Sequence, residues 1–157
     1  MLAYTPLADK LATRLVQTPP TLDAFRSLQQ SRAKLIAGIV VAWILGGFLE
    51  ELILRGIILQ SVEAQLSARM VKPLAIAIAI SVAALFAFVL HLYQGLRAAL
   101  IITQLSLLCG LLYVISGRNL WSVILCHGLY DTIAFVRFAN KQSRYSRVSA
   151  PKLDAEP

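Results

Sequence analysis

The sequence predicts an all-α membrane protein: a bundle of about four transmembrane helices behind an N-terminal amphipathic segment. Three observations predict it. The 157 residues are 58% hydrophobic and only 15% charged, with a mean hydropathy of +0.71, whereas soluble domains are roughly 45–50% apolar and about 25% charged. Four apolar stretches each reach the roughly 20 residues that a helix needs to cross a bilayer. Most of the Lys and Arg residues lie in 1–34 and 137–157, as expected where basic ends flank the spans. These observations disfavour a disordered chain, a disulfide scaffold and an ordinary soluble enzyme.

The spans are read at about 35–59, 73–93, 97–117 and 119–138. Lipid-exposed backbone must satisfy its own hydrogen bonds, so they are helices. The alternation by twos of a membrane barrel is absent. Ahead of them, Leu7, Leu11 and Leu15 recur every four residues among Lys10, Arg14 and Gln17, which predicts a helix lying on the bilayer surface. Pro19 and Pro20 break it, and 22–34 lead into the first span. Residues 60–72 are polar enough to leave the membrane. Tyr93-Gln94-Gly95 and Gly117-Arg118-Asn119 read as turns. The chain thus divides into a polar N-terminal segment (1–34), a transmembrane domain (35–138) and a basic tail (139–157) with the composition of a disordered segment.

Four spans place both ends on one side together with Arg97, and the positive-inside rule makes that side, and both termini, cytoplasmic. The bilayer itself is the expected partner. No nucleic-acid partner is expected, because topology already accounts for the terminal charge. Cys109 and Cys126 sit in apolar runs and form neither a CxxC nor a zinc knuckle. Residues 1–34 lack the apolar core of a secretory signal.

The function is sought in the residues that lipid does not tolerate. Glu50, Glu51, His91, His127 and Asp131 interrupt apolar helices, with Arg55 close behind. Each such group costs about 2.5–3.5 kcal/mol at mid-membrane on insertion scales, so together they call for mutual pairing or a wet cavity. Glu51 and Arg55 are four apart, acid first, the favourable order for a helical ion pair; this pair reads as structural. Glu50 lies about 100° away around the helix and has no basic partner there, which makes it a candidate base. His127 and Asp131 share a face of the fourth span. Gly38, Ala42 and Gly46 lead to Glu50 at steps of four, and Ala75, Ala79, Ala83 and Ala87 lead likewise to His91. Small residues at that spacing let membrane helices approach closely and aim both groups into helix–helix interfaces. One tension follows. Straight helices put Glu50 and His127 near mid-depth but His91 close to the cytoplasmic face.

Such a set supports two chemistries. A carboxylate can deprotonate a water that attacks a carbonyl while a histidine and a second polar group stabilise the oxyanion. Alternatively, Glu50, His91, His127 and Asp131 could ligate a divalent metal such as zinc that activates the water. HExxH and GxSxG are both missing. Proton or ion transfer is a weaker third reading, since no pore repeat is present.

Three motifs in order, each on its own span, carry a resemblance: Glu50-Glu51-Leu52-Ile53-Leu54-Arg55-Gly56 as EExxxRG, His91 at the end of an apolar helix, and His127-Gly128-Leu129-Tyr130-Asp131 as HxxxD. The sequence resembles the CPBP (Abi) family of intramembrane proteases over roughly residues 40–138; that family includes the type II CAAX prenyl endopeptidases. The resemblance implies an endopeptidase acting on a membrane-associated peptide or protein. Glu50 would activate water, His91 and His127 would orient it or stabilise the oxyanion, and Asp131 would be their polar partner. Glu51 and Arg55 would hold the first motif in shape, with or without a metal. It also admits a non-catalytic immunity or scaffold protein that retains the fold, and either homo- or hetero-oligomers. Three features stand out. Position 87 is Ala where the family's second motif has an aromatic, Asp131 stands where the family has Asn or Asp, and only a polar 34-residue lead precedes the helix of the first motif.

Overall fold

The computed structural model describes residues 1–148, with side chains through Asn140. Among the described residues there are helices and turns and no strand. Helix α1 spans Thr5–Leu15, and a 3₁₀ turn covers Asp23–Gln29. Four helices follow that are long and apolar enough to cross a membrane: α2 (Arg32–Ser67), α3 (Lys72–Leu90), α4 (Leu96–Ile115) and α5, whose apolar part is Leu120–Asn140. The expected four spans are all present. Helix α5 runs on to Val148, past the expected start of the tail, and no proline or glycine interrupts it there; 149–157 lie outside the described residues.

Helix α2 starts at Ser31, whose hydroxyl accepts the Lys34 N–H, a standard N-cap. It opens into wide π turns at Trp43–Glu50 and again at Leu52–Leu59 before closing as α-helix over Gln60–Ser67. Such i→i+5 turns are rare and cluster at functional sites. Here they bracket the two glutamates.

The helical stretch Gln60–Ser67 departs from the expected polar link at 60–72. Its amphipathic residues remain helical because Glu63 pairs with Arg118 and Gln60 donates to the Tyr113 hydroxyl at 2.5 Å. This removes the tension in depth. With α2 continued to Ser67 and the turn confined to 68–71, Glu50 lies about as far before the turn as His91 lies after it. An antiparallel hairpin therefore sets them side by side.

The alanine stripe behaves as expected: Ala75, Ala79, Ala83 and Ala87 are all buried, and α3 packs closely on α4 and on the second π segment of α2. The glycine stripe does not. Gly38, Ala42 and Gly46 face a cavity. The Leu28 side chain occupies the notch at Gly38, and the groups of the site occupy the one at Gly46. The core is formed by Leu54, Leu59, Ala79, Ala83, Ala87, Cys109, Tyr113 and Val123. The large apolar side chains left exposed on α2, α3, α4 and α5 include Ile44, Phe48, Ile53, Leu85, Val89, Leu111, Ile115, Leu125 and Leu129, the surface expected to meet acyl chains.

Helix α1 packs against α4. Its alanine face, Ala8 and Ala12, is the buried one, while Leu7, Leu11 and Leu15 point outward. The reason lies in α4: Gln104 is an amide in an apolar helix and needs partners. It accepts from the Tyr4 hydroxyl at 3.0 Å and donates to the Ala8 carbonyl at 3.3 Å. Arg97 binds Asp9 at 2.7 Å. The small face of α1 permits the approach that these bonds require.

The segment between α1 and α2 straps across one end of the bundle. The Thr21 N–H donates to the Gln94 carbonyl at 2.9 Å, Phe25 meets Phe135 with ring centroids 5.5 Å apart, and Gln29 donates to the Phe138 carbonyl at 3.1 Å. Gly95 turns the chain beside it with φ +92°, a conformation that a side chain would strain.

Candidate active site

The first π segment of α2 lies against α5, with Gly47 over Gly128 and Trp43 over the Gly128 Cα. The Trp43 indole N–H donates to Thr132 Oγ1 at 3.0 Å and holds that packing. This contact delivers Glu50 and Glu51, adjacent in sequence, to two different histidines.

Glu51 turns inward and is fully sealed. Its Oε1 accepts from His127 Nδ1 at 2.6 Å and from Arg55 Nη1 at 3.1 Å. Arg55 Nη2 in turn donates to the Ser106 carbonyl at 2.7 Å and to Ser106 Oγ at 2.8 Å. The expected ion pair is therefore present, and it does more than neutralise charge: it anchors a histidine. A carboxylate only accepts, so His127 carries a proton on Nδ1, and its Nε2 is presented on the other side, 3.5 Å from Asp131 Oδ2.

Glu50 turns toward the end of α3. Its Oε2 lies 4.0 Å from His91 Nε2. His91 caps α3, and its Nδ1 donates to the Ala87 carbonyl at 2.8 Å. A carbonyl also only accepts, which leaves the Nε2 lone pair of neutral His91 facing Glu50. Glu50, His91, His127 and Asp131 each keep between 15% and 21% side-chain exposure, against 0% for Glu51 and 1% for Arg55. The first four can meet water and a substrate; the last two cannot readily.

All six line one cavity of about 950 Å³. Its floor is the acid–imidazole set, and its walls toward the strap are apolar, with Leu28, Phe25, Val41, Leu45, Phe135 and Phe138. Gly46 makes room at the floor, because a Cβ there would stand 3.0 Å from Asp131 Oδ2 and 3.6 Å from His127 Nε2. Gly46→Ala is expected to keep the fold, since the crowded carboxylate is the end of a flexible side chain. It is expected to lower kcat by about 10- to 100-fold by moving that group. Thermal unfolding and turnover of the variant, measured side by side, check this.

The residues with the chemistry to hold a metal are Glu50, His91, His127 and Asp131. Among the described residues no three of His, Cys, Asp and Glu are grouped so as to hold an ion. His127 and His91 give Nδ1 to Glu51 and to the Ala87 carbonyl, which leaves each Nε2 open.

Sequence reasoning brought together the right helices and missed three parts of the site. Ser106 is one of three neighbouring polar residues, with Thr103 and Gln104, in a largely apolar span, a signal that was available. The bond from Glu51 to His127 had none, since it joins separate spans. Gly46 was assigned to helix packing when it makes space for chemistry.

These features define an α-helical integral membrane protein with a paired glutamate–histidine site opening on an internal cavity. The chain matches the family described as type II CAAX prenyl endopeptidase Rce1-like over residues 32–133 and belongs to it, which makes it a protease-type enzyme at the level of the family. No curated protein and no solved structure matches the chain. The matched stretch begins with α2 and ends just beyond Asp131, so it contains every residue of the floor and leaves out α1 and the strap.

Proposed function

We propose that the protein is an intramembrane endopeptidase in which Glu50 is the general base for a water that attacks a peptide carbonyl. The 4.0 Å separation of Glu50 Oε2 and His91 Nε2 carries this reading. It is too long for a direct hydrogen bond and suits one bridging water. Both facing atoms are acceptors, so such a water directs both its protons at them and turns a lone pair outward. Glu50 takes one proton as the oxygen attacks; His91 holds the other and fixes the direction of attack. His127, steadied by Glu51, presents Nε2 beside Asp131 at the adjoining edge of the floor. A proton shared between these two groups would make them the donor to the oxyanion, and Glu50 would pass the proton it took from water to the leaving amine.

The substrate is a membrane-associated peptide or protein. The apolar walls between strap and floor suit a chain that arrives from the lipid, and the membrane-embedded floor offers little to a polar peptide free in solution. Arg26, Arg32, Lys34 and Arg97 lie on the strap or at the helix ends beside it, which supports placing that end, with the N-terminus, on the cytoplasmic side.

The test is hydrolysis in liposomes of one peptide sequence in two forms, lipid-tethered (a prenylated C-terminal peptide among them) and free. Cleavage of tethered peptides at least tenfold faster is the expected result. No cleavage of any tethered peptide by protein shown to be folded overturns the reading.

A further inference from the structure

We infer that Ser106, in the middle of α4, is a positioning residue that sets the orientation of His127 through Arg55 and Glu51. The inference rests on the proposed role of His127 and adds to it a helix that supplies none of the residues named so far for the chemistry.

The argument starts from the donors of Arg55. The guanidinium is sealed at 1% exposure, beside a cavity and on a long flexible stem. Nη1 is spent on Glu51, and Nε has no hydrogen-bond partner among the described residues. Nη2 alone ties the group to another helix, and both its acceptors belong to one residue, the Ser106 carbonyl and hydroxyl. Glu51 is likewise held by Arg55 alone on one side, and it holds His127 on the other. Positional information therefore passes from Ser106 to Arg55 to Glu51 to His127 Nδ1. The chain also explains why a hydroxyl, itself only 6% exposed, stands in an apolar span. Hydrogen bonds to charged groups are the strong ones, and in a low-dielectric interior they fix geometry as well as energy.

Removal of the hydroxyl leaves Nη2 with the carbonyl only. Ser106→Ala is expected to lower kcat about tenfold with KM unchanged and thermal unfolding little altered. Ser106→Thr, which keeps the hydroxyl, is expected to restore kcat; Ser106→Cys, with its weak acceptor, is not. The chain has two histidines, so their ring ¹⁵N signals are easily told apart. Those of His127 are expected to shift in Ser106→Ala while those of His91 stay in place, a readout that does not depend on activity. Unchanged His127 signals, or a loss of kcat that only tracks a loss of folded protein, overturn the inference. If Glu50→Gln retains full activity, the reading of the site fails instead, and the spectroscopic result still decides the role of Ser106.

Discussion

Glu50→Gln is expected to lower kcat by about 10²- to 10⁴-fold, the range that a general base contributes, while the folded protein accumulates normally. The two halves of this expectation have separate causes. The amide keeps the size and shape of the carboxylate, and Glu50 is not part of the sealed pair, so packing and charge compensation in the core are unchanged. The amide cannot take a proton from water, and its NH₂ competes with water for the lone pair of His91. Turnover of a membrane-tethered peptide in liposomes, compared with thermal unfolding of the same preparation, measures both halves. A variant that hydrolyses at the wild-type rate removes Glu50 from the mechanism.

Glu51→Gln has the opposite signature: stability and activity fall together. The substitution leaves the Arg55 charge buried without a counter-ion, and breaking a buried pair from one side costs about 3–5 kcal/mol. It also deprives His127 Nδ1 of its charged acceptor. The double variant Glu51→Gln/Arg55→Met separates the two effects. It removes both charges, so most of the lost stability should return, as it often does when a buried pair is replaced by apolar groups. Activity should not return, because His127 still lacks its charged acceptor. A double-mutant cycle of unfolding temperatures in detergent, with turnover measured at each corner, reads this. If Glu51→Gln unfolds no more easily than Glu50→Gln, the sealed pair is not what holds this part of the core.

Adjacent glutamates thus carry different duties, and the structure shows why. Around a helix, neighbouring residues diverge, so one carboxylate meets α5 and the other meets the end of α3. The divergence was readable from sequence; the identity of the partners was not. Straight-helix geometry put Glu50 level with His127 and left His91 near the cytoplasmic face. The continuation of α2 through Gln60–Ser67 reverses this by bringing His91 level with Glu50.

Helix α1 makes a related point. Its leucine stripe was legible and correctly located an amphipathic helix, yet the stripe faces outward and the alanines face the protein. In water, a leucine stripe would be the buried one. Near lipid, apolar side chains gain little from burial, and close contact between small residues together with hydrogen bonds decides which face packs. Gln104, inside an apolar run, needed partners that only the folded chain could supply.

The sequence by itself determined the class of fold, the number of spans and which residues would not be left facing lipid, because a bilayer penalises charge and unpaired backbone so strongly that few arrangements survive. It also determined the resemblance, since three motifs on three helices are local patterns. Only the tertiary structure decided which acid holds which histidine, that Ser106 secures Arg55, and that Gly46 opens space rather than closing a helix contact. Those outcomes depend on the register between helices, on the wide turns of α2 and on distances of a few ångströms between side chains far apart along the chain, none of which helical spacing alone encodes.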